Sequence, residues 1–92
     1  MPKVTIYTTP ICPYCVRAKQ LFKRKGIPFE EVDILSAPDR RAEMITRSQG
    51  RRTVPQIFIG DVHVGGCDDL YDLEHEGRLA PMLQDAATMI QT

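Results

Sequence analysis

The residues of this chain best suited to chemistry are two thiols in the run Cys12-Pro13-Tyr14-Cys15. At that spacing they lie one helical turn apart and can interconvert as a dithiol and a disulfide. So short a loop restricts an unfolded chain little, so the pair reads as a redox site rather than a structural staple. A thiol attacks as its thiolate, and what surrounds it decides how readily it ionises. The run Lys3-Val4-Thr5-Ile6-Tyr7-Thr8 alternates and is rich in β-branched and aromatic residues, which predicts a strand leading into the motif. After it, Val16, Ala18, Leu21 and Phe22 fall at helical spacing with basic residues between them, and Pro13 takes the first helical position, where a missing N–H costs nothing. Cys12 is therefore expected at or beside the N-cap. There the unpaired backbone donors and the positive end of the macrodipole favour its thiolate, below the ordinary pKa of about 8.5. Cys15, at the third helical position, is expected to face inward and stay protonated, so that one sulfur attacks and the other resolves.

The elements that must position this pair belong to a chain of 92 residues, enough for one small domain with a single thin core, spanning 1–92. Twelve basic and twelve acidic residues cancel, so the charge excess typical of nucleic-acid or membrane-surface binding is missing, and neither partner is expected. Met1 to Pro10 lacks the basic start and apolar stretch of a secretory signal, and no apolar run approaches the roughly 20 residues of a membrane span. The expectation is a soluble, cytoplasmic protein. Three cysteines, an odd number, argue for reactive thiols over a disulfide framework. Half of a zinc site would need two more thiolates or imidazoles, but only Cys67, His63 and His75 remain, without a second paired spacing, so no metal is expected.

The first helix should run from about Pro13 to Lys25, with Lys23, Arg24 and Lys25 in its last turn and Gly26 as the left-handed residue beyond it. Phe29-Glu30-Glu31-Val32-Asp33-Ile34 reads as a short strand, completing a strand–helix–strand unit whose strands should be parallel. Ser36-Ala37-Pro38-Asp39 opens a second helix in the manner of a capping box, and Gly50 closes it, with Ala42, Met44 and Ile45 as its narrow buried stripe. Thr53 to Ile59, the pair Gly60-Asp61 and Val62-His63-Val64 predict an antiparallel hairpin, and the Val54–Pro55 bond is a candidate for cis. Gly65-Gly66 turns into a third helix from Cys67 to near Gly77, with Asp68 and Asp69 in its first turn. Leu79, Met82, Leu83, Ala86, Ala87 and Ile90 fit a last amphipathic helix. His63 and His75 read as solvated surface residues, Tyr7 and Phe58 as core, and Tyr71 as helix surface. The order implies an α/β fold on a four-stranded mixed sheet flanked by helices.

Three pieces in this order and spacing carry a resemblance along nearly the whole chain: Cys12-Pro13-Tyr14-Cys15 followed by Arg17-Ala18-Lys19, Thr53-Val54-Pro55-Gln56-Ile57-Phe58-Ile59, and Gly65-Gly66-Cys67-Asp68-Asp69-Leu70. The chain resembles the dithiol glutaredoxins of the bacterial type. That resemblance implies the thioredoxin fold and a monomer, with glutathione as the reducing co-substrate, no tightly bound cofactor, and glutathionylated proteins and protein disulfides as substrates. It implies Cys12 as nucleophile, Cys15 as resolving thiol, Tyr14 as a wall of the glutathione site, and Thr53, Val54 and a cis Pro55 as its backbone partner. The backbone of Cys67 and Asp68, with the Asp68 carboxylate, would hold the γ-glutamyl end. Many members carry a lysine shortly before the motif, where this chain has Thr8-Thr9-Pro10-Ile11; Arg52 or Arg17 is expected to replace it from elsewhere. Cys67 reads as a small buried residue, with a regulatory thiol open to glutathionylation or oxidation as the alternative. Two other roles for the same pocket stay open. One is an iron–sulfur cluster carrier that uses Cys12 and glutathione between two protomers, against which Pro13 argues within the family. The other is an electron donor dedicated to one enzyme, such as a ribonucleotide reductase.

Overall fold

Val4 to Thr8 are buried without a break, as a strand covered on both faces must be, and they form β1 (Val4–Thr8) at the middle of the sheet. In the computed structural model, which describes residues 2–84, there follow α1 (Pro13–Arg24), β2 (Glu30–Asp33), α2 (Pro38–Arg47), β3 (Gln56–Ile59), β4 (Val62–Gly65) and α3 (Cys67–His75); residues 79–84 are also helical. The expected positions Ala86, Ala87 and Ile90 lie outside the described residues. The strand order is β2-β1-β3-β4. β1 runs parallel to β2, as the strand–helix–strand unit predicts, and antiparallel to β3, which pairs antiparallel with β4 across a bulge at Ile57 and Phe58. With its flanking helices, this four-stranded mixed sheet is the thioredoxin fold.

Alternation along β1 and β3 sends side chains to two different environments. Val4, Ile6, Ile57 and Ile59 join Ala18, Leu21 and Phe22 of α1, Leu70 of α3, and Leu79 and Leu83 in one apolar cluster. On the other face Tyr7, Val32, Ile34, Met44 and Phe58 pack beneath α2, with polar groups among them. The Tyr7 hydroxyl donates to Glu43 and accepts from Arg47 Nη1 at 2.9 Å, and the Arg47 guanidinium lies 4.1 Å from the Phe58 ring centroid. Burial, and next the bond to Glu43, push the Tyr7 pKa up, with Arg47 opposing.

The helix ends follow their local sequence. Beyond α1, Gly26 at φ 70 allows its own N–H to reach Lys23 O and that of Ile27 to reach Phe22 O, which satisfies carbonyls the helix leaves open. At α2 the corresponding left-handed position is Gln49, at φ 62, and Gly50 lies one residue beyond it, so the helix closes a residue earlier than Gly50 suggested. Its start also departs from expectation. The N-cap is Ala37, which has no side-chain acceptor, and Ser36 instead donates its hydroxyl to Asp33 Oδ2 at 3.0 Å, so no capping box forms. Of the expected stripe Met44 is buried and Ile45 partly so, but Ala42 is exposed. Val16 is exposed too, because the buried stripe of α1 passes through Cys15, Ala18 and Phe22 and residue 16 sits about 100° round the helix from Cys15.

Candidate redox site

The chain leaves β1 at Thr8, turns through Thr9, Pro10 and Ile11, and enters α1 with Cys12 as its N-cap and Pro13 at the first helical position. Cys12 is extended, at φ −150 and ψ 98, and its Sγ accepts the Cys15 N–H at 3.1 Å while its carbonyl accepts the Val16 N–H. Sulfur thus occupies the place an N-cap oxygen usually fills. Cys12 and Cys15 form a disulfide across a Cα separation of 5.1 Å. Their exposures differ in the sense the roles require: Cys12 is 9% exposed and Cys15 1%, so an incoming sulfur can reach only the first. The Val54 carbonyl stands 3.9 Å from Cys12 Sγ, ahead of a cis Val54–Pro55 bond.

Beside this pair opens a cleft of about 180 Å³ lined by Tyr14, Arg51, Thr53, Val54, Pro55, Gly66, Cys67, Asp68 and Asp69. Its far wall is the start of α3. Gly65, at φ 115, leads the chain into the helix, and a Cβ there would run into the Asp69 carboxylate. Gly66 is the N-cap, and Asp69 Oδ2 accepts its N–H at 2.9 Å while lying 3.7 Å from Arg51 Nη1. The N–H groups of Cys67 and Asp68 have no acceptor within the helix, which leaves the rim of the cleft with donors for an anion.

The glutaredoxin family model matches residues 4–64, which include the disulfide and the Thr53-Val54-Pro55 wall. The chain belongs to the glutaredoxin family. It is 57% identical over 83 residues to a glutaredoxin of Pseudomonas aeruginosa, covering 90% of this chain and 98% of that one. It is 55% identical over 84 residues to glutaredoxin 3 of Escherichia coli K12, covering 91% and 100%. Among solved structures, a buckwheat glutaredoxin–glutathione complex superposes with a TM-score of 0.83 at 31% identity, covering 94% of this chain and 80% of that one. This glutaredoxin is accordingly a thiol–disulfide oxidoreductase with a redox-active Cys12–Cys15 pair.

Of the residues singled out from the sequence, Tyr14, Thr53, Val54, Pro55, Cys67 and Asp68 of this glutaredoxin line one cleft, and Cys12 lies at its edge through Val54. Arg52 is exposed and does not line the cleft; Arg51 does. In an irregular approach to a strand, the path of the backbone decides which of two neighbouring arginines faces in, and periodicity carries no information about that path. Arg17 is drawn elsewhere, with its guanidinium 5.2 Å from the Tyr71 ring centroid. Asp69 went unassigned to the site, although its place three residues after Gly66 is the spacing of a reciprocal cap. Cys67 is a free, buried thiol whose pKa burial pushes up, with Arg17 lowering it and Asp68 raising it. Among the described residues no group of three or more His, Cys, Asp or Glu side chains is placed to hold a metal.

Proposed function

We propose that this glutaredoxin is a glutathione-disulfide oxidoreductase that reduces glutathione mixed disulfides and protein disulfides through Cys12 and Cys15. The observation that carries this reading is the cleft beside Cys12, walled by Tyr14 and Thr53–Pro55 and ending on the first turn of α3. Glutathione presents two carboxylates and one ammonium. The γ-glutamyl carboxylate suits the N–H groups of Cys67 and Asp68, its ammonium suits the Asp68 carboxylate, and the glycine carboxylate suits Arg51, with Arg52 adjacent. The buckwheat neighbour is a complex with glutathione, which supports the same ligand here.

Cys12 thiolate attacks the glutathionyl sulfur of a mixed disulfide; the old S–S bond breaks and the other thiol leaves as a thiolate that takes up a proton. A second glutathione thiolate then attacks the glutathionyl sulfur on Cys12, forming glutathione disulfide and restoring the Cys12 thiolate. With a protein disulfide, Cys15 loses its proton and attacks Cys12 in the mixed disulfide, which releases the second substrate thiol. The resulting Cys12–Cys15 disulfide is reduced by two glutathiones. Glutathione enters as co-substrate, and the reading places the protein as a monomer in the cytoplasm, where that pool is kept reduced.

The test compares one peptide carried as its glutathionyl disulfide and as its cysteinyl disulfide. The reduced protein should act on the first with a kcat/KM about tenfold or more higher, equivalent to roughly 1.4 kcal/mol of recognition by the cleft. Equal values would reject glutathione specificity and leave only the general thiol chemistry.

A further inference from the structure

Thr53 is an exposed part of the cleft wall and lies outside the strands, so something else must hold it. The holding group comes from inside the sheet. Gln56, fully buried at the start of β3, turns its amide Nε2 back to the Thr53 carbonyl at 3.0 Å and to the Thr53 hydroxyl at 3.2 Å. Its Oε1 lies 2.7 Å from Nε2 of His63 on the neighbouring strand β4. The cross-strand partner of His63 is Phe58, two residues from Gln56 on the same face, so the pairing makes His63 and Gln56 diagonal neighbours.

The chemistry of these groups fixes every proton in the chain of bonds. The Thr53 carbonyl can only accept, so the amide nitrogen of Gln56 must face it; the amide oxygen, also only an acceptor, then faces His63. His63 Nε2 must therefore carry a hydrogen. Turning the Gln56 amide over would oppose two acceptors at Thr53 and leave a buried side chain poorly paired. The imidazole is held for this purpose: it stacks on Phe58 with centroids 4.9 Å apart and planes at 25°, and it is half-buried, against the expectation of a solvated histidine. Burial, and then the charge of Arg51, push its pKa down, with Asp69 opposing and Arg47 adding, which favours the neutral ring.

We propose that His63 is a positioning residue for glutathionyl recognition: through Gln56 it fixes the Thr53 carbonyl and hydroxyl in the cleft wall without itself touching the substrate. This rests on the glutathione reading above, and the same pair of peptides separates the two. His63→Phe keeps a ring to stack on Phe58 but removes the donor to Gln56. It should raise KM for the glutathionylated peptide about threefold to tenfold, the effect of one hydrogen bond, while kcat and the rate on the cysteinyl peptide stay unchanged. His63→Gln, which returns a donor, should recover most of the loss. An equal loss on both peptides, or none on either, would overturn the proposal. A measurement on the unsubstituted protein needs no variant to fold: nitrogen-15 shifts of the His63 ring at pH 7.5 should report the Nε2–H tautomer, and the Nδ1–H tautomer would overturn the proposal by itself. Equal rates of the unsubstituted protein on the two peptides would instead remove the glutathione reading beneath it.

Discussion

Two helix starts, those of α1 and α3, contribute to one cleft, and each carries a cysteine, yet only one of them is built to react. At α1 the sulfur of Cys12 is itself the cap: it accepts the Cys15 N–H, and there is no acid in the first turn to compete for the helix's positive end. At α3 Asp68 and Asp69 already supply negative charge, and the Asp69 carboxylate takes the Gly66 N–H. Cys67 sits one residue inside that start, buried, with its pKa raised. The Cys12 sulfur thus sits where the donors of a helix start can stabilise a thiolate, whereas burial, and Asp68 beside it, hold the Cys67 sulfur toward its thiol form.

The largest effect should come from exchanging the sulfur at the first start. Cys12→Ser removes the sulfur proposed as nucleophile and should lower turnover on a glutathionylated peptide by at least about 10³-fold, whereas Cys15→Ser should keep that activity and lose turnover on protein disulfides; steady-state assays of both substrates separate the two roles. Should Cys15→Ser be as inactive as Cys12→Ser on the peptide, the division between attacking and resolving sulfur would be wrong. At the second start, Asp69→Ala removes the acceptor of the Gly66 N–H. It should cost about 1 kcal/mol, or roughly 4–8 °C in Tm, and thermal unfolding followed by circular dichroism reads it directly.

The smallest effect concerns Cys67. Its folded pKa is raised above the ordinary thiol value, so between the two values the unfolded chain has lost a proton that the folded one retains. The contribution is fully present below that ordinary value and is lost as pH rises from there through the folded pKa. Stability of the reduced protein, measured by urea unfolding, should fall less steeply above pH 9 in Cys67→Ala than in the unsubstituted protein. The same variant keeps the backbone N–H and should leave turnover near neutral pH unchanged.

Much of this was legible in the sequence because it is local. The extent of α1 followed from Pro13 and Gly26, and the parallel pairing of β1 and β2 from the strand–helix–strand order, whereas the cleft was expected only through the family resemblance that three separate motifs carry. What was not legible depends on neighbours from distant parts of the chain. Arg47 lies outside the narrow stripe of Ala42, Met44 and Ile45 expected to be buried, but it sits over Phe58 and donates to Tyr7, two residues brought beneath α2 only by the sheet. His63 looked solvated because its partners, Phe58 and Gln56, are set by strand pairing and amide orientation. Ser36 fails as a cap for a local reason instead: Asp33, three residues before it, offers its hydroxyl an acceptor.

The placement of β1 between β2 and β3 carries a consequence for how the molecule breathes. A strand bonded on both sides gives up its amide protons only when the whole sheet comes apart, while edge strands fray independently. Deuterium uptake should therefore be slowest along Val4–Thr8 and quicken abruptly in the turn that follows. Cys12 hangs from the part of the protein that opens least, so fraying at β2 or β4 leaves the sulfur where it is.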